Sequence, residues 1–339
     1  MSGFFRRKSK AVAALVLSFV LASCLLCGCG GSDGSDLMAN YAASDSVVND
    51  DIGSMRAATF TPLLSQWFIC DVSEDMLTTD YAFDEANPSR SGAAFVIDRT
   101  ENKLLFGYHM FDKVAPASVT KLMTALVVLQ RCDVNDVVTI DATVAKLARG
   151  SVAELKEGDE ITVYNLLIAL LTVSANNAAV ALARHVAGTE EDFVKLMNQE
   201  MDKLGANDTT FVNSSGLQVA NHMVTAYDMY IVYQECTKYP AFREIMKLNS
   251  GEYEYTNAAG EQCVRAYKTT NCFKLGTYPY PSGIEILGSK TGTTDRAGYC
   301  LLLHVRGVSG HEYLLGAFHC ETETKLYQKM NTLMETYCK

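Results

Sequence analysis

The sequence predicts an α/β fold in which one antiparallel sheet, flanked by helices, is joined to a helical lobe. β-like runs stand at both ends of the region from about residue 90 onwards, and helical patterns fill its middle. If both ends of a domain build one sheet, the middle is left to form a second lobe. We expect the active site in the cleft between the lobes, where ligand sites are common.

The composition is that of a globular protein. The chain has 339 residues, of which 48% are hydrophobic and 20% charged, and this length suits one large domain or two small ones. The formal net charge is −10, and no basic patch follows the first ten residues. Nucleic acid is therefore not an expected partner.

Residues 1–28 predict a lipoprotein-type signal peptide. A basic start precedes an apolar run from Ala11 to Ala22, which is too short to span a bilayer comfortably. Leu21-Ala22-Ser23-Cys24 resembles a lipoprotein cleavage signal, whereas Cys29 lies closer to the Gly/Ser stretch, so the predicted lipidation site is Cys29 or Cys24. A lipid-anchored protein would lie on the outer face of the cytoplasmic membrane. An ordinary signal peptide with incidental cysteines is the alternative.

The rest of the chain divides into a polar tether and lead-in segment, residues 29–87, and a compact domain, residues 88–339. Eight cysteines follow residue 30, and outside the cytoplasm they could form disulfides. Buried free thiols are the alternative. Their irregular spacing does not indicate a zinc site.

Local patterns predict the elements of the compact domain in order. A hairpin is expected from Ala93–Ile97 and Lys103–Tyr108, because a turn-like run lies between two β-like runs. A helix is expected to begin at or near Ser118, after a proline. Later segments are predicted as helices at 163–171, 177–186 and 190–204, strands at 299–305 and 313–318, and a final helix at 324–337.

Three short motifs carry the predicted chemistry. They are Ser118-Val119-Thr120-Lys121, Ser174-Ala175-Asn176 and Lys290-Thr291-Gly292. Each alone is a weak signal, since a serine three residues before a lysine is often only a helix cap with a surface lysine. The three together, in this order, are far more specific.

The first motif is suited to nucleophilic catalysis. Residues i and i+3 share a helix face, so Lys121 is expected beside Ser118. A serine needs a neighbour to take its proton, and a lysine does this only when neutral. Burial and a nearby cation such as Lys290 would both lower the pKa of Lys121.

The other two motifs are predicted to face the first. Ser174 and Asn176 interrupt two apolar helices, so a projecting turn there presents a hydroxyl and an amide. Lys290 follows the apolar segment Ile284–Leu287, which is predicted as a strand that an extended peptide could pair against. The Lys290 ammonium would then meet a carboxylate.

The motifs and their surroundings resemble the low-molecular-weight penicillin-binding proteins, the serine D-Ala-D-Ala carboxypeptidases. Further matching segments are Gly216-Leu217 with His222, and Thr293-Thr294 with Ala297-Gly298, so the resemblance covers residues 88–339. It implies a β-lactamase/DD-peptidase-like fold and removal of the terminal D-Ala from peptidoglycan pentapeptides through an acyl-enzyme. It also implies β-lactams as covalent inhibitors and no metal or cofactor.

The resemblance implies a role for each matching residue. Ser118 would be the nucleophile, Lys121 the general base and Ser174 the proton relay to the leaving D-Ala. Among the substrate-binding residues, Asn176 would hold an amide of the substrate, and Lys290 and Thr291 would bind its terminal carboxylate. Gly292 would leave the edge of the strand bare, and the backbone N–H groups of Thr293 and Ser118 would form the oxyanion hole.

Two departures from related patterns affect these expectations. Relatives often carry an Arg after the strand at 313–318 that grips the substrate carboxylate, but the corresponding stretch 321–326 has Lys325 and no Arg. The chain also ends after its last predicted helix, so we expect neither the further β-rich domain nor the C-terminal anchor of many relatives.

Other activities are alternatives to this one. A class A β-lactamase needs a Glu that residues 207–213 lack, which disfavours fast penicillin hydrolysis. A DD-endopeptidase on the same scaffold stays open. His185 and Asp192 are spaced like some zinc ligands, but no His-Glu-x-x-His accompanies them. A non-enzymatic wall-binding protein would usually have lost a motif residue.

Overall fold

The computed structural model describes residues 92–339. The predicted signal peptide, most of the lead-in segment and both candidate lipidation sites, Cys24 and Cys29, lie outside the described residues. Within residues 92–339, no helix has the length and apolar character needed to cross a membrane.

A five-stranded antiparallel sheet is built from both ends of the described chain, as predicted. Its strand order is β2-β1-β9-β8-β7. The strands are β1 (Ala93–Asp98), β2 (Lys103–Tyr108), β7 (Glu285–Thr294), β8 (Gly298–Arg306) and β9 (Glu312–Cys320). β7 is therefore an edge strand, and one of its sides remains available for another backbone.

Strand β7 is longer than the sequence suggested. The predicted strand ended before Lys290, whereas β7 continues through the Lys-Thr-Gly motif to Thr294. Its pairing with β8 reaches Thr294↔Gly298 and contains an irregularity between Ile286 and Gly288. The motif consequently lies within a rigid strand and not on a loop.

Helices form the second lobe and cover the sheet. They are α1 (Lys121–Arg131), α2 (Ala142–Ala145), α3 (Val163–Ile168), α4 (Asn176–Ala187), α5 (Glu190–Lys203), α6 (Ala226–Cys236), α7 (Pro240–Lys247) and α8 (Glu323–Tyr337). Threonine hydroxyls accept hydrogen bonds from first-turn amides at the starts of α3, α5, α6 and α8.

Much of the middle of the chain has no secondary structure predicted from local sequence patterns. Residues there form α6 and α7 and a second antiparallel sheet with the order β3-β4-β5-β6. The strands of this sheet are β3 (Val137–Thr139), β4 (Glu160–Thr162), β5 (Ser250–Thr256) and β6 (Gln262–Lys268). The second lobe is therefore helical with a small sheet. The strands of this sheet were not predicted, because they are short or carry only a weak alternation of apolar and polar residues.

Two apolar cores lie on the two faces of the five-stranded sheet. One contains Phe95 and Leu302 and extends into the helical lobe around α1, which is buried along most of its length. The other contains Leu301 and Leu303 and is closed by Leu326 and Met330 of α8. Successive residues of β8 thus face opposite cores. Because β7 is paired with β8, its side chains also alternate between the two faces of the sheet, and this fixes which of them face the cleft.

The cysteines of the described region are free thiols. They are Cys132, Cys236, Cys263, Cys272, Cys300, Cys320 and Cys338. The predicted alternative of free thiols is thus the one found for residues 92–339, and Cys70 lies outside the described residues.

Candidate active site

Ser118 lies in a short 3₁₀ turn and not in the first turn of an α-helix. The turn comprises Ala117–Thr120, and α1 begins only at Lys121. Ala117 has a φ of 46°, an unusual value for a residue with a side chain. This strained entry presents Ser118 to the cleft while both of its neighbours are buried.

Lys121 is fully buried and contacts the Ser118 hydroxyl. Its Nζ lies 2.8 Å from Ser118 Oγ, 2.7 Å from Asn176 Oδ1 and 2.6 Å from the carbonyl oxygen of Ser215. Burial, with a contribution from the charge of Lys290, lowers the pKa of Lys121 well below its ordinary value. The structure thus brings the predicted nucleophile and base together in an environment that favours the neutral amine.

The three partners of Lys121 fix the direction of its lone pair. A neutral amine has two N–H groups and one lone pair, and the oxygens of Asn176 and Ser215 can only accept hydrogen bonds. The two N–H groups therefore point to those oxygens, and the lone pair points to Ser118 Oγ. The charged ammonium donates to Ser118 Oγ, whereas the neutral amine can accept the hydrogen of the Ser118 hydroxyl, as proton abstraction requires.

Ser174 is held at the end of an irregular turn. The segment Ala169–Val173 is a π-helical turn that follows α3, and Ser174 itself has a φ of 64°. Such local distortions often accompany functional sites. They place the Ser174 hydroxyl 2.8 Å from Lys290 Nζ.

Asn176 begins α4 and makes hydrogen bonds within the protein through both ends of its side chain. Its Oδ1 accepts from Lys121, and its Nδ2 donates to the carbonyl oxygen of Arg149 at 2.8 Å. The backbone N–H of Asn176 donates to Ser151 O at 2.7 Å. Asn176 is thus brought to the site, but its side chain orients Lys121 and is not among the groups lining the cleft.

Lys290 is 1% exposed. Its Nζ donates to Ser174 Oγ and, at 2.9 Å, to the carbonyl oxygen of Thr291. Burial lowers the pKa of Lys290 to about 7. The ammonium therefore lies behind Ser174, where it can support a proton transfer through that hydroxyl.

The other two predicted residues on β7 lie against the nucleophile. A Cβ atom on Gly292 would lie 2.9 Å from Ser118 N and 3.0 Å from Pro116 O. Any larger residue would crowd the backbone N–H of Ser118, which is one expected donor to an oxyanion. Thr293 is exposed on the edge strand, as the second donor would need to be.

These elements enclose an open cavity of about 210 Å³. Five of the predicted residues line it, namely Ser118, Ser174, Thr291, Gly292 and Thr293. The remaining lining residues were not predicted; they are Ser151, Thr270, Tyr299, Cys300, Glu323, Leu326 and Tyr327. No local motif marks these positions, since they come from distant segments.

The missing Arg is not replaced by Lys325. The ammonium of Lys325 pairs with the carboxylate of Glu321 one turn earlier. Two residues of this stretch line the cavity, Glu323 and Leu326, and of these only Glu323 is charged. The cavity therefore has an acidic group where the resemblance led us to expect a basic one.

The structure does not support a zinc site at His185 and Asp192. The Asp192 carboxylate is hydrogen bonded to Thr189 and Lys195. His185 instead groups with Cys132 and Asp136, whose potential ligand atoms lie within 4.8 Å of one another. None of these residues lines the cavity that contains Ser118.

Comparison with known proteins agrees with this geometry. Residues 82–308 match the D-alanyl-D-alanine carboxypeptidase family. The chain is 35% identical over 214 residues to D-alanyl-D-alanine carboxypeptidase DacF of Bacillus subtilis, covering 62% of this chain and 52% of that protein. It is 31% identical over 215 residues to the D-alanyl-D-alanine endopeptidase of Escherichia coli, covering 63% and 66%.

Solved structures share the fold. A Cys-to-Asn mutant of a Streptomyces DD-transpeptidase superposes with a TM-score of 0.65 at 26% identity, covering 72% of this chain and 96% of that one. A D-alanyl-D-alanine carboxypeptidase from Mycobacterium tuberculosis superposes with a TM-score of 0.59 at 26% identity, covering 67% and 81%. The predicted β-lactamase/DD-peptidase-like fold is thereby confirmed.

The chain spans between about half and two thirds of the length of these first curated relatives. The family match nevertheless covers most of the chain and contains all three motifs. This protein belongs to the D-alanyl-D-alanine carboxypeptidase family of serine peptidases.

Proposed function

We propose that this protein is a serine-type D-alanyl-D-alanine carboxypeptidase that removes the terminal D-Ala from peptidoglycan stem peptides. The observation that carries the proposal is the placement of Lys121 Nζ between two carbonyl oxygens and Ser118 Oγ. That geometry activates a serine without a histidine, and it fits a cleft beside an edge strand that can pair with a peptide.

Acylation begins when Ser118 Oγ attacks the carbonyl carbon of the penultimate D-Ala. Lys121 accepts the hydroxyl proton, and the new C–O bond places negative charge on the carbonyl oxygen. The backbone N–H groups of Ser118 and Thr293 are the proposed donors to this oxyanion, and Gly292 leaves room for it.

Breakdown of the tetrahedral intermediate expels the terminal D-Ala as an amine. The leaving nitrogen takes a proton from the Ser174 hydroxyl, which is replenished through Lys290 at 2.8 Å. Lys121 then gives the proton taken from Ser118 to solvent, and Lys290 regains a proton from solvent. Water attacks the acyl-enzyme, Lys121 takes a proton from this water and returns it to Ser118 Oγ, and the shortened peptide is released.

The endopeptidase is the second candidate on the same site. It is favoured by the similarity to the Escherichia coli D-alanyl-D-alanine endopeptidase. Both reactions share the acyl-enzyme and differ only in the leaving amine. Comparing release of D-Ala from a pentapeptide with cleavage of a cross-linked dimer separates the two.

The substrate implies action outside the cytoplasm. We infer that the protein works on the outer face of the cytoplasmic membrane, held there by a lipid on Cys29 or Cys24. The basic and apolar start of the sequence supports this inference. Mass spectrometry of the mature N-terminus identifies the modified residue.

Covalent labelling with a fluorescent penicillin tests the proposed nucleophile. We expect stoichiometric labelling of the wild-type protein and release of D-Ala from an acyl-D-Ala-D-Ala peptide. Ser118→Ala should lose both, while Ser151→Ala, a change to another hydroxyl in the same cavity, should retain labelling. Labelling that persists in Ser118→Ala would overturn the assignment.

A further inference from the structure

The charge at the far end of the active-site cavity is negative. Of its lining residues, all of which belong to the described part of the chain, only Glu323 is charged. The two catalytic lysines lie beneath the surface and contact Ser118 and Ser174. A substrate that enters the cavity therefore meets the carboxylate of Glu323 directly.

Glu323 belongs to the part of the cavity that faces the leaving group. The proton donor to the leaving amine is Ser174, so the leaving residue lies toward Ser174 and Thr291. Thr291 shares a hydrogen bond with Thr270. Cys272 follows Thr270 by two residues, and its N–H donates to the hydroxyl of Tyr327 at 2.9 Å. Tyr327 and Glu323 both lie in the first turns of α8, so this series of contacts connects Thr291 with the part of α8 that carries Glu323.

The Glu323 carboxylate is not matched by a cation. The hydroxyl of Tyr278, a neutral donor, lies 3.4 Å from its Oε1. The nearby Lys325 is paired with Glu321. Among the ion pairs of residues 92–339, none involves Glu323.

Aromatic side chains line the same cavity as this carboxylate. Tyr299 and Tyr327 both line the cavity. The ring of Tyr327 stacks on that of Tyr278, with centroids 4.6 Å apart and planes within 6°, so its position is fixed. Because Tyr327 is only 2% exposed, an ammonium group in this cavity would be bound mainly by the carboxylate of Glu323.

We propose that Glu323 forms an ammonium subsite in this cavity, which favours leaving D-residues that carry a positively charged amino side chain. The carboxylate of such a residue would still meet Thr291 and Thr270, while its side-chain ammonium meets Glu323. This inference rests on the proposed function, since it concerns the residue that the peptidase releases.

A structural role for Glu323 makes a different prediction. An acidic residue in the first turn of a helix interacts favourably with the helix dipole, so Glu323 could serve only to stabilise α8. Its removal would then lower thermal stability and affect all substrates alike. A selective effect on charged leaving groups is not expected from that role.

Three peptides distinguish the two roles: acyl-D-Ala-D-Lys, the same peptide with the lysine amine acetylated, and acyl-D-Ala-D-Ala. We expect wild-type kcat/KM for the D-Lys peptide to exceed that for the acetylated peptide by about fivefold, the size of a partly exposed ion pair. High salt should reduce this ratio. Glu323→Gln should bring it to about one and raise kcat/KM for acyl-D-Ala-D-Ala, whereas Glu323→Asp should keep part of the preference.

Glu321→Gln is the matched control, because it removes a carboxylate two residues away that is paired with Lys325. It should leave the ratio unchanged. A wild-type ratio of about one, or a ratio that Glu323→Gln does not alter, would overturn the ammonium subsite while penicillin labelling of Ser118 continued to support the peptidase. Failure to cleave any of the three peptides would overturn both.

Discussion

Gly216 lies directly against the carbonyl group of Ala117, the residue before the proposed nucleophile. A Cβ atom on Gly216 would lie 1.8 Å from Ala117 O and 2.4 Å from Ala117 C, and Gly216 has a φ of 84°. The preceding residue, Ser215, supplies the carbonyl oxygen that accepts from Lys121. One tight turn therefore supports the strained backbone at Ala117 and orients the base.

Gly216→Ala should disable the site by displacing that turn. The added methyl group cannot fit beside Ala117 O, so we expect a loss of roughly 2 to 4 kcal/mol in the free energy of unfolding. Penicillin labelling should slow by about 100-fold or more, since the nucleophile and base lose their alignment. Quenched labelling time courses and thermal melts measure the two effects.

Gly260→Ala is the control for this substitution. Gly260 also has a positive φ, of 83°, but a Cβ atom added there would have no heavy atom within 4 Å. The substitution should cost only about 1 kcal/mol and leave labelling unchanged. Equal labelling rates for Gly216→Ala and Gly260→Ala would show that the contact with Ala117 is unimportant.

The pH dependence of acylation should report the neutral form of Lys121. Because burial lowers the pKa of Lys121 well below its ordinary value, acylation should increase as this group loses its proton and should reach its plateau well below about pH 10. Lys121→Met should reduce the acylation rate by about 100-fold or more, and Lys103→Met, at an exposed position on β2, should not. An acid limb near the ordinary lysine pKa would contradict this account.

Lys290 should lower the stability of the folded protein near neutral pH. Its pKa falls from 10.5 to about 7 on folding, so the unfolded chain binds its proton more tightly. The contribution of Lys290 to the free energy of unfolding is therefore most favourable above its unfolded pKa, and it decreases as the pH falls from about 10.5 to about 7. Lys290→Met should be more stable than wild type by on the order of 1 to 3 kcal/mol near neutral pH, although inactive.

Denaturant melts across that pH range test this prediction. The advantage of Lys290→Met should shrink as the pH approaches about 10.5. Lys268→Met serves as the control, since Lys268 is exposed at the end of β6, and its effect should not vary with pH in this way. A constant advantage, or a loss of stability at every pH, would argue against burial as the cause of the lowered pKa of Lys290.

Local sequence patterns were sufficient to predict several of the secondary-structure elements. The hairpin β1–β2, the helices at α4, α5 and α8, and the strands β8 and β9 were predicted within a few residues. They have strong hydrophobic periodicity or clear caps. The strands β5 and β6 were missed, because no residue of β6 is fully buried and the apolar Val264 and Ala266 share its exposed face with polar residues, which leaves little alternation to recognise.

Residue identity and short spacings were enough to establish the three motifs, the pairing of Ser118 with Lys121 three residues on, and the resemblance to the family. These features are written directly in the chain. Folding was needed to show that Asn176 orients Lys121, that Ser215 contacts Lys121 and Gly216 contacts Ala117, and that Glu323 lines the cavity. Those relationships join segments that lie far apart in the sequence; Lys121 and Ser215, for example, are 94 residues apart. They exist only once packing brings the two lobes together.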